Sequence, residues 1–388
     1  MFCQFRLYLF CHICSYIVST DAIYILLKNM TQPKIRNIKV ERYIGGLSKY
    51  KKIRNPIKLS ANESALGPSP RAIRAFEKDK NKIYKYPESD ANTLRNVLSK
   101  KFKLKKDRII CGSGSDQIFD LICKLFLKPG DEVIVSKFGF IMHRIYASLH
   151  EAKVSFAKEK NYKISVNEIL KKVSRKTKIV FIANPNNPTG TYLSKNKMLE
   201  LRKKLRSNIL LVVDDAYFEF MNKNDFVSGL DLFKNKSNVI ITRTFSKIYG
   251  LAGLRLGWGY SSKKIIEAMH QIKGPFNVNR AALAAGVEAL KDNKWTNKAI
   301  RHNTIWSEKI FSVLNKNKII TNKPSANFFL MNFNKSKINA DQVFKKLSKK
   351  RLILRKMTQY KIPNSLRLTI GNKQTNEYFI KCVKEIFR

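Results

Sequence analysis

The chain reads as an α/β protein, with a large domain on a mainly parallel seven-stranded sheet and a smaller α+β domain after it. Three observations predict this. Apolar runs of strand length recur near residues 108–111, 132–136, 153–157, 179–183, 209–214, 239–244 and 256–260. Several do not alternate, as in Ile209-Leu210-Leu211-Val212-Val213, which suits strands covered on both faces. Helix-spaced stretches lie between several of them, as at Ile118, Leu121, Ile122 and Leu125, and that is the rhythm of parallel strands joined by crossover helices.

Taken in order, residues 30–65 form an N-terminal arm expected to pack with the small domain. Residues 66–275 hold the large domain, and 276–388 an interdomain helix and the small C-terminal domain. A long, charged helical stretch is expected over roughly 280–316. Beyond it, Asn327 to Met331 and Leu366 to Ile370 read as strands. No internal repeat is evident.

The most informative segment is Thr244-Phe245-Ser246-Lys247-Ile248-Tyr249-Gly250-Leu251-Ala252-Gly253-Leu254-Arg255. Lys247 follows a strand-like run and is walled by apolar and small residues. Desolvation there, with a cation nearby, lowers an amine's pKa and prepares it to attack a carbonyl. Arg255 is a candidate for that cation. Upstream, Arg108-Ile109-Ile110-Cys111 reads as a strand, and Gly112-Ser113-Gly114-Ser115-Asp116 leads into a helix. A strand, a Gly/Ser turn and a helix aim backbone N–H groups at a phosphate. The run at 208–213 ends in Asp214-Asp215-Ala216-Tyr217, which puts a carboxylate at the carboxyl end of a strand, where α/β sheets bind ligands. Lys178 to Ala183 ends in Asn184-Pro185-Asn186-Asn187-Pro188-Thr189-Gly190, a loop that offers the Asn187 amide as a donor. Singly, each has an ordinary reading: a surface lysine, a helix cap, a carboxylate cap, a loop. Together they supply what pyridoxal 5'-phosphate requires, namely an amine, a phosphate cradle, an acid for the pyridine nitrogen (Asp214) and donors for the phenolic oxygen (Asn187, Tyr217).

In order and spacing these motifs resemble the fold-type I pyridoxal-phosphate-dependent aminotransferases, and most closely the histidinol-phosphate aminotransferases, from about residue 35 to the C-terminus. Asn62-Glu63-Ser64-Ala65-Leu66-Gly67-Pro68 resembles the family's N-terminal signature, with Ala65 where proline is usual, and Asp215 stands where glutamate is usual. The resemblance implies that Lys247 is the catalytic lysine. It implies that Gly114, Ser115, Asp116, Phe140, Asn187, Asp214, Tyr217, Ser246 and Arg255 bind the cofactor, with Phe140 stacking on its ring. Tyr86, in Lys85-Tyr86-Pro87-Glu88, would reach the cofactor of a neighbouring subunit in a homodimer. Arg367 would grip the substrate carboxylate and Arg355 a second anion, with Asn62, Tyr86 and Asn187 also at the substrate. The implied reaction moves an amino group between L-glutamate and imidazole-acetol phosphate, giving L-histidinol phosphate and 2-oxoglutarate in histidine biosynthesis. An aromatic-amino-acid aminotransferase or a threonine-phosphate decarboxylase of the same fold remains open on these motifs.

Composition sets the outer bounds. A length of 388 residues allows two to three domains, and 44% hydrophobic residues suffice for a core. The net charge of +48 would ordinarily point to nucleic acid or an anionic membrane. The lysines are spread along the whole chain, however, so neither a specific nucleic-acid partner nor a membrane partner is expected. Cys111, Cys123 and Cys382 read as reduced and buried. Cys11-His12-Ile13-Cys14 has no second ligand pair after it, so no metal is expected. Residues 1–29 are apolar and aromatic and carry the other cysteines. Arg6, His12 and Asp21 interrupt the run before it reaches a membrane span. The expectation is that Met30 is the true start, that 1–29 lie outside the fold, and that the protein is cytoplasmic.

Overall fold

The computed structural model describes residues 38–48, 50, 53–323 and 325–388. The extension 1–29 and its cysteines therefore lie outside the described residues. Residues 40–388 form one compact unit containing two main sheets.

The larger sheet has seven strands: β2 (Ile109–Gly112), β3 (Glu132–Ser136), β4 (Lys153–Ala157), β7 (Thr177–Ala183), β8 (Leu210–Asp214), β9 (Val239–Thr244) and β10 (Gly257–Tyr260). Their order is β2-β10-β9-β8-β7-β3-β4. β10 runs antiparallel to both neighbours, and the other strand pairings in the sheet are parallel. Alternate residues of each strand feed two cores. Val180, Ile182, Leu211, Val213 and Ile241 face one, and Ile179, Phe181, Leu210, Val212 and Ile240 the other. Burial on both faces is why these runs show no polar alternation.

The smaller sheet has the order β1-β12-β13-β11, with β1 (Ile57–Leu59), β11 (Phe328–Asn332), β12 (Leu352–Lys356) and β13 (Ser365–Thr369). β1 comes from the N-terminal arm and pairs in parallel with β12. A short hairpin, β5 (Glu159–Lys160) and β6 (Lys163–Ile164), completes the strands among the described residues.

The helical stretch expected over 280–316 is two helices, Arg280–Lys291 and Asn293–Lys316. Asp292 breaks it at φ −89°, ψ 70°, and its side chain accepts from the Trp295 N–H at 3.1 Å, capping the second helix. That helix buries Ala299 in the core of the large sheet and Trp306, Ile310 and Leu314 in that of the small one. Cys111, Cys123 and Cys382 are free and buried. No helix among the described residues is long and apolar enough to cross a membrane.

Candidate active site

The functional residues gather at the carboxyl ends of β7, β8 and β9, where they meet the small sheet. Lys247 follows β9 by three residues, beyond the buried Phe245 and Ser246. Its Nζ lies 3.4 Å from the Ala61 carbonyl oxygen and 5.7 Å from the centre of the Tyr217 ring. The Lys247 pKa is lowered to about 8, chiefly by burial and next by the Arg367 guanidinium, against the opposing pull of Tyr43, Asp116 and Glu63. The cation expected to do this was Arg255. The structure instead turns Arg255 toward Asp116 (Nη2 to Oδ2, 3.0 Å), the Ala252 carbonyl (3.0 Å) and Ser246 Oγ (3.5 Å), and brings Arg367 to Lys247 from the small sheet.

The phosphate cradle is built by close packing. Gly114 opens the helix Gly114–Phe126 with φ +76°, and a side chain there would put Cβ 2.6 Å from Arg255 Nη2. Gly257 on β10 lies so near the same turn that a Cβ would fall 2.3 Å from the Ser115 nitrogen. The two glycines bring a helix N-terminus, Ser115, Ser246 and Arg255 to one place, a donor set that fits a phosphate. Asp116 sits in the same turn, where burial raises its pKa while Arg255 lowers it.

Asp214 ends β8 and is buried. Thr242 Oγ1 donates to its Oδ1 at 3.4 Å, and His143 Nε2 lies 3.6 Å from Oδ2. His143 stacks on Phe181 at 4.8 Å and meets Phe140 edge-on at 5.5 Å, so its ring is fixed between the sheet and the aromatic loop. Its Nε2 has no hydrogen-bond partner in the protein. The sequence reading missed His143 and Thr242. A histidine on the apolar face of the helix Ile141–Leu149, three residues after Phe140, was the only signal for His143, and its meaning depended on which strands are neighbours.

Asp215 points away from Asp214. It accepts from the Gly229 and Leu230 N–H groups at 3.1 and 3.3 Å and pairs with buried Arg243 at 3.5 Å. Burial pushes its pKa up to about 6, with Arg243 opposing.

From the small sheet, Arg367 on β13 donates through Nη1 to Asn187 Oδ1 at 2.5 Å and through Nη2 to the Ser60 carbonyl at 3.0 Å. Its buried Nε has no partner. Arg355 on β12 is its cross-strand neighbour and donates to the Ile44 carbonyl. The contact with Arg367 occupies the Asn187 oxygen and leaves Nδ2 as its donor. Asn62 Nδ2 donates to the Tyr217 hydroxyl at 2.9 Å, and Thr369 Oγ1 meets Asn62 Oδ1 at 3.3 Å, so Asn62 braces Tyr217 against β13. Burial pushes the Tyr217 pKa up to about 12 and keeps its hydroxyl protonated. Tyr86 lies elsewhere on the surface, 78% exposed, stacked on Phe276 at 4.5 Å.

The amine, the buried carboxylate, the cradle and the unpartnered Arg367 and His143 nitrogens fit a phosphorylated pyridine aldehyde. Among the described residues no group of three or more His, Cys, Asp or Glu side chains is placed to hold a metal.

Comparison with known proteins agrees. The family model for aminotransferase class I and II matches residues 54–383, and the chain belongs to that family. The histidinol-phosphate aminotransferase of Pelagibacter ubique is 56% identical over 92% of this chain and all of its own length. That of Maricaulis maris is 37% identical over 92% of this chain and 99% of its own. A crystal structure of histidinol-phosphate aminotransferase from Sinorhizobium meliloti in complex with pyridoxal-5'-phosphate superposes with a TM-score of 0.77 at 22% identity, covering 84% of this chain and 90% of the other.

Proposed function

We infer that this chain transfers the amino group between L-glutamate and imidazole-acetol phosphate, forming L-histidinol phosphate and 2-oxoglutarate for histidine biosynthesis, with pyridoxal 5'-phosphate as its cofactor. The observation that carries this is the 56% identity to a histidinol-phosphate aminotransferase across that protein's whole length, in a chain that keeps a lysine of lowered pKa beside Tyr217 and Arg367. The bound cofactor supplies a carbonyl that an amine can hold covalently and a ring that accepts the electrons left when a substrate carbon loses its proton.

The chain's own residues do the rest. Gly114, Ser115, Ser246 and Arg255 hold the phosphate at the helix N-terminus. Asp214, backed by His143 and Thr242, keeps a proton on the pyridine nitrogen. Asn187 Nδ2 and the Tyr217 hydroxyl donate to the phenolic oxygen, and Phe140 covers the ring. Lys247 Nζ would act as the general base that takes the substrate α-proton and, as its conjugate acid, delivers it to the carbon that carried the cofactor's carbonyl, on the same face. In the cofactor-free chain its pKa is already lowered to about 8, toward the range in which an amine can act as a base. Arg367 binds the α-carboxylate by a planar two-point contact, and Arg355 receives the second anion, the phosphate of one substrate or the side-chain carboxylate of the other. Asn62, which donates to the Tyr217 hydroxyl, lines the substrate side of the site.

The working unit is a homodimer in the cytoplasm. Tyr86 has no role in its own subunit's site, and its ring, stacked on Phe276 on one side, is exposed enough to complete the site of a second copy. Mixing Lys247→Ala and Tyr86→Phe proteins tests this: activity above that of either variant supports a shared site, and no gain counts against it. The test of function is the visible spectrum of the cofactor-loaded protein. Histidinol phosphate should bleach the protein-bound band and 2-oxoglutarate restore it. A coloured protein that responds only to phenylalanine or threonine phosphate would move the substrate assignment, and one that stays colourless with added cofactor would end it.

A further inference from the structure

Glu159 takes no part in the chemistry described above, yet it lies behind two of the loops that make the site. It opens the β5–β6 hairpin, whose two turn residues, Asn161 and Tyr162, both have positive φ (51° and 60°). Such a turn ordinarily takes glycine at the second position. Here Tyr162 is held by three contacts. Its ring lies 5.6 Å from that of Phe138, its hydroxyl accepts from Asn332 Nδ2 at 3.2 Å, and its carbonyl accepts from Thr191 Oγ1 at 2.7 Å. The hairpin is therefore fixed against the aromatic loop, the Asn184–Gly190 loop and the small sheet.

On this fixed base Glu159 Oε1 accepts from the Phe138 N–H at 3.0 Å. Ser136 and the Asn186 side chain also lie against the carboxyl and favour its charged form. Phe138 is two residues from Phe140, and Asn186 adjoins Asn187, which holds Arg367. Asn186 is fully buried, with Nδ2 donating to Thr189 Oγ1 at 3.0 Å, and Thr189 in turn meets Thr191 at 2.9 Å. Glu159 Oε2 is buried and has no hydrogen-bond partner of its own.

We propose that Glu159 is a positioning residue for the active site: its carboxylate ties the loop that carries Phe140 to the loop that carries Asn187, and so sets the ring cover and the Asn187–Arg367 pair relative to one another. The proposal rests on the assignment of Phe140 and Asn187 to the cofactor and substrate site. Burial raises the Glu159 pKa to about 7, against the Ser136, Phe138 and Asn186 contacts and the charge of Lys137. Of those groups Lys137 alone is charged. Protonation turns a charged acceptor into a neutral one and weakens its hold on the Phe138 N–H and on the nearby Ser136 and Asn186 side chains.

The test is hydrogen exchange by mass spectrometry on the full chain without added cofactor, for the wild type and Glu159→Gln, on either side of about pH 7 and corrected for intrinsic exchange rates. In the wild type, peptides spanning 137–141 and 184–190 should lose protection several-fold on the acid side. The Gln variant should show the lower protection at both pH values, with no step. In the loaded enzyme the same variant should raise KM several-fold with little change in kcat. A wild type with no step, a step that survives in the Gln variant, or unchanged KM in that variant would overturn the proposal. The wild-type step needs no variant, so a Gln protein that fails to fold leaves the test standing. A clear step in a protein that does not turn over histidinol phosphate supports the tie and counts only against the substrate assignment.

Discussion

Replacing Lys247 with Met should make the cofactor-free protein more stable, by an amount that depends on pH in a defined direction. The folded protein lowers this amine from 10.5 to about 8, chiefly by burial and next by Arg367. At about 1.4 kcal/mol per pH unit, the interval from 10.5 to about 8 corresponds to about 3 kcal/mol of disfavoured charge. Lys247 is half-buried, so solvent screening makes this an upper bound. Below about pH 8 the lysine is charged both folded and unfolded, and the whole cost is present. Between about pH 8 and 10.5 the unfolded chain holds the proton more tightly, so the wild type gains stability as pH rises. Above 10.5 the amine is neutral in both states and the cost is gone. Tyr217 and Tyr360, pushed up to about 12, stay protonated in the folded protein across this window, and their titration in the unfolded chain is common to both proteins and cancels in the comparison. Urea unfolding of both proteins without cofactor, at about pH 7 and about pH 10.5, gives the comparison. The advantage of the Met variant should shrink by up to about 3 kcal/mol across that range. A gap that stays constant, or widens with pH, would refute the claim that the fold destabilises the charged amine.

Three further outcomes follow from the same geometry. Asp214→Asn removes the charge at the ring nitrogen while keeping its shape, and kcat for the half-reaction with histidinol phosphate should fall about 100-fold or more with the cofactor still bound. Arg367→Lys keeps a cation but loses the planar fork, so KM for glutamate should rise by about 10- to 100-fold, corresponding to about 1.5–3 kcal/mol, while Tm moves little. Gly257→Ala places a Cβ 2.3 Å from the Ser115 nitrogen, backbone that cannot swing aside. It should cost about 1–3 kcal/mol of stability and weaken cofactor binding, as read by denaturant titration and by cofactor dissociation.

The large sheet was legible because its central strands are buried on both faces. Unbroken apolar runs such as Leu210 to Val213 cannot be solvent-facing strands, and all seven runs became strands of one sheet. The smaller elements were not. β1 is three residues long and half-buried, and the β5 and β6 strands are two residues each, too short for a period to register. The break at Asp292 was hidden because both flanking stretches keep helical character and one residue's cap separates them. The placement of Lys247, Asp214 and Asn187 was readable because each lies at or just beyond the carboxyl end of a strand within a local motif. His143 and Glu159 were not, because their roles arise from neighbours far away in sequence: His143 from Asp214, 71 positions on (214 − 143), and Glu159 from Phe138 and Asn186 on separate loops. The identity of the cation near Lys247 went astray for the same reason. Arg255 was near in sequence, and Arg367 is near in space.

Arg355 and Arg367 are direct partners across β12 and β13, so both guanidinium groups project from one face of the small sheet. A slip of a single residue between the strands would turn one of them to the far side and uncover apolar neighbours such as Leu366 and Leu368. With both arginines assigned to substrate anions as proposed, backbone drift cannot adjust the demand for two anions by degrees. A descendant of this chain that came to accept a singly charged substrate would have to give up one arginine outright, and the acquisition of new specificity in this lineage should be recorded as discrete charge losses at these two positions.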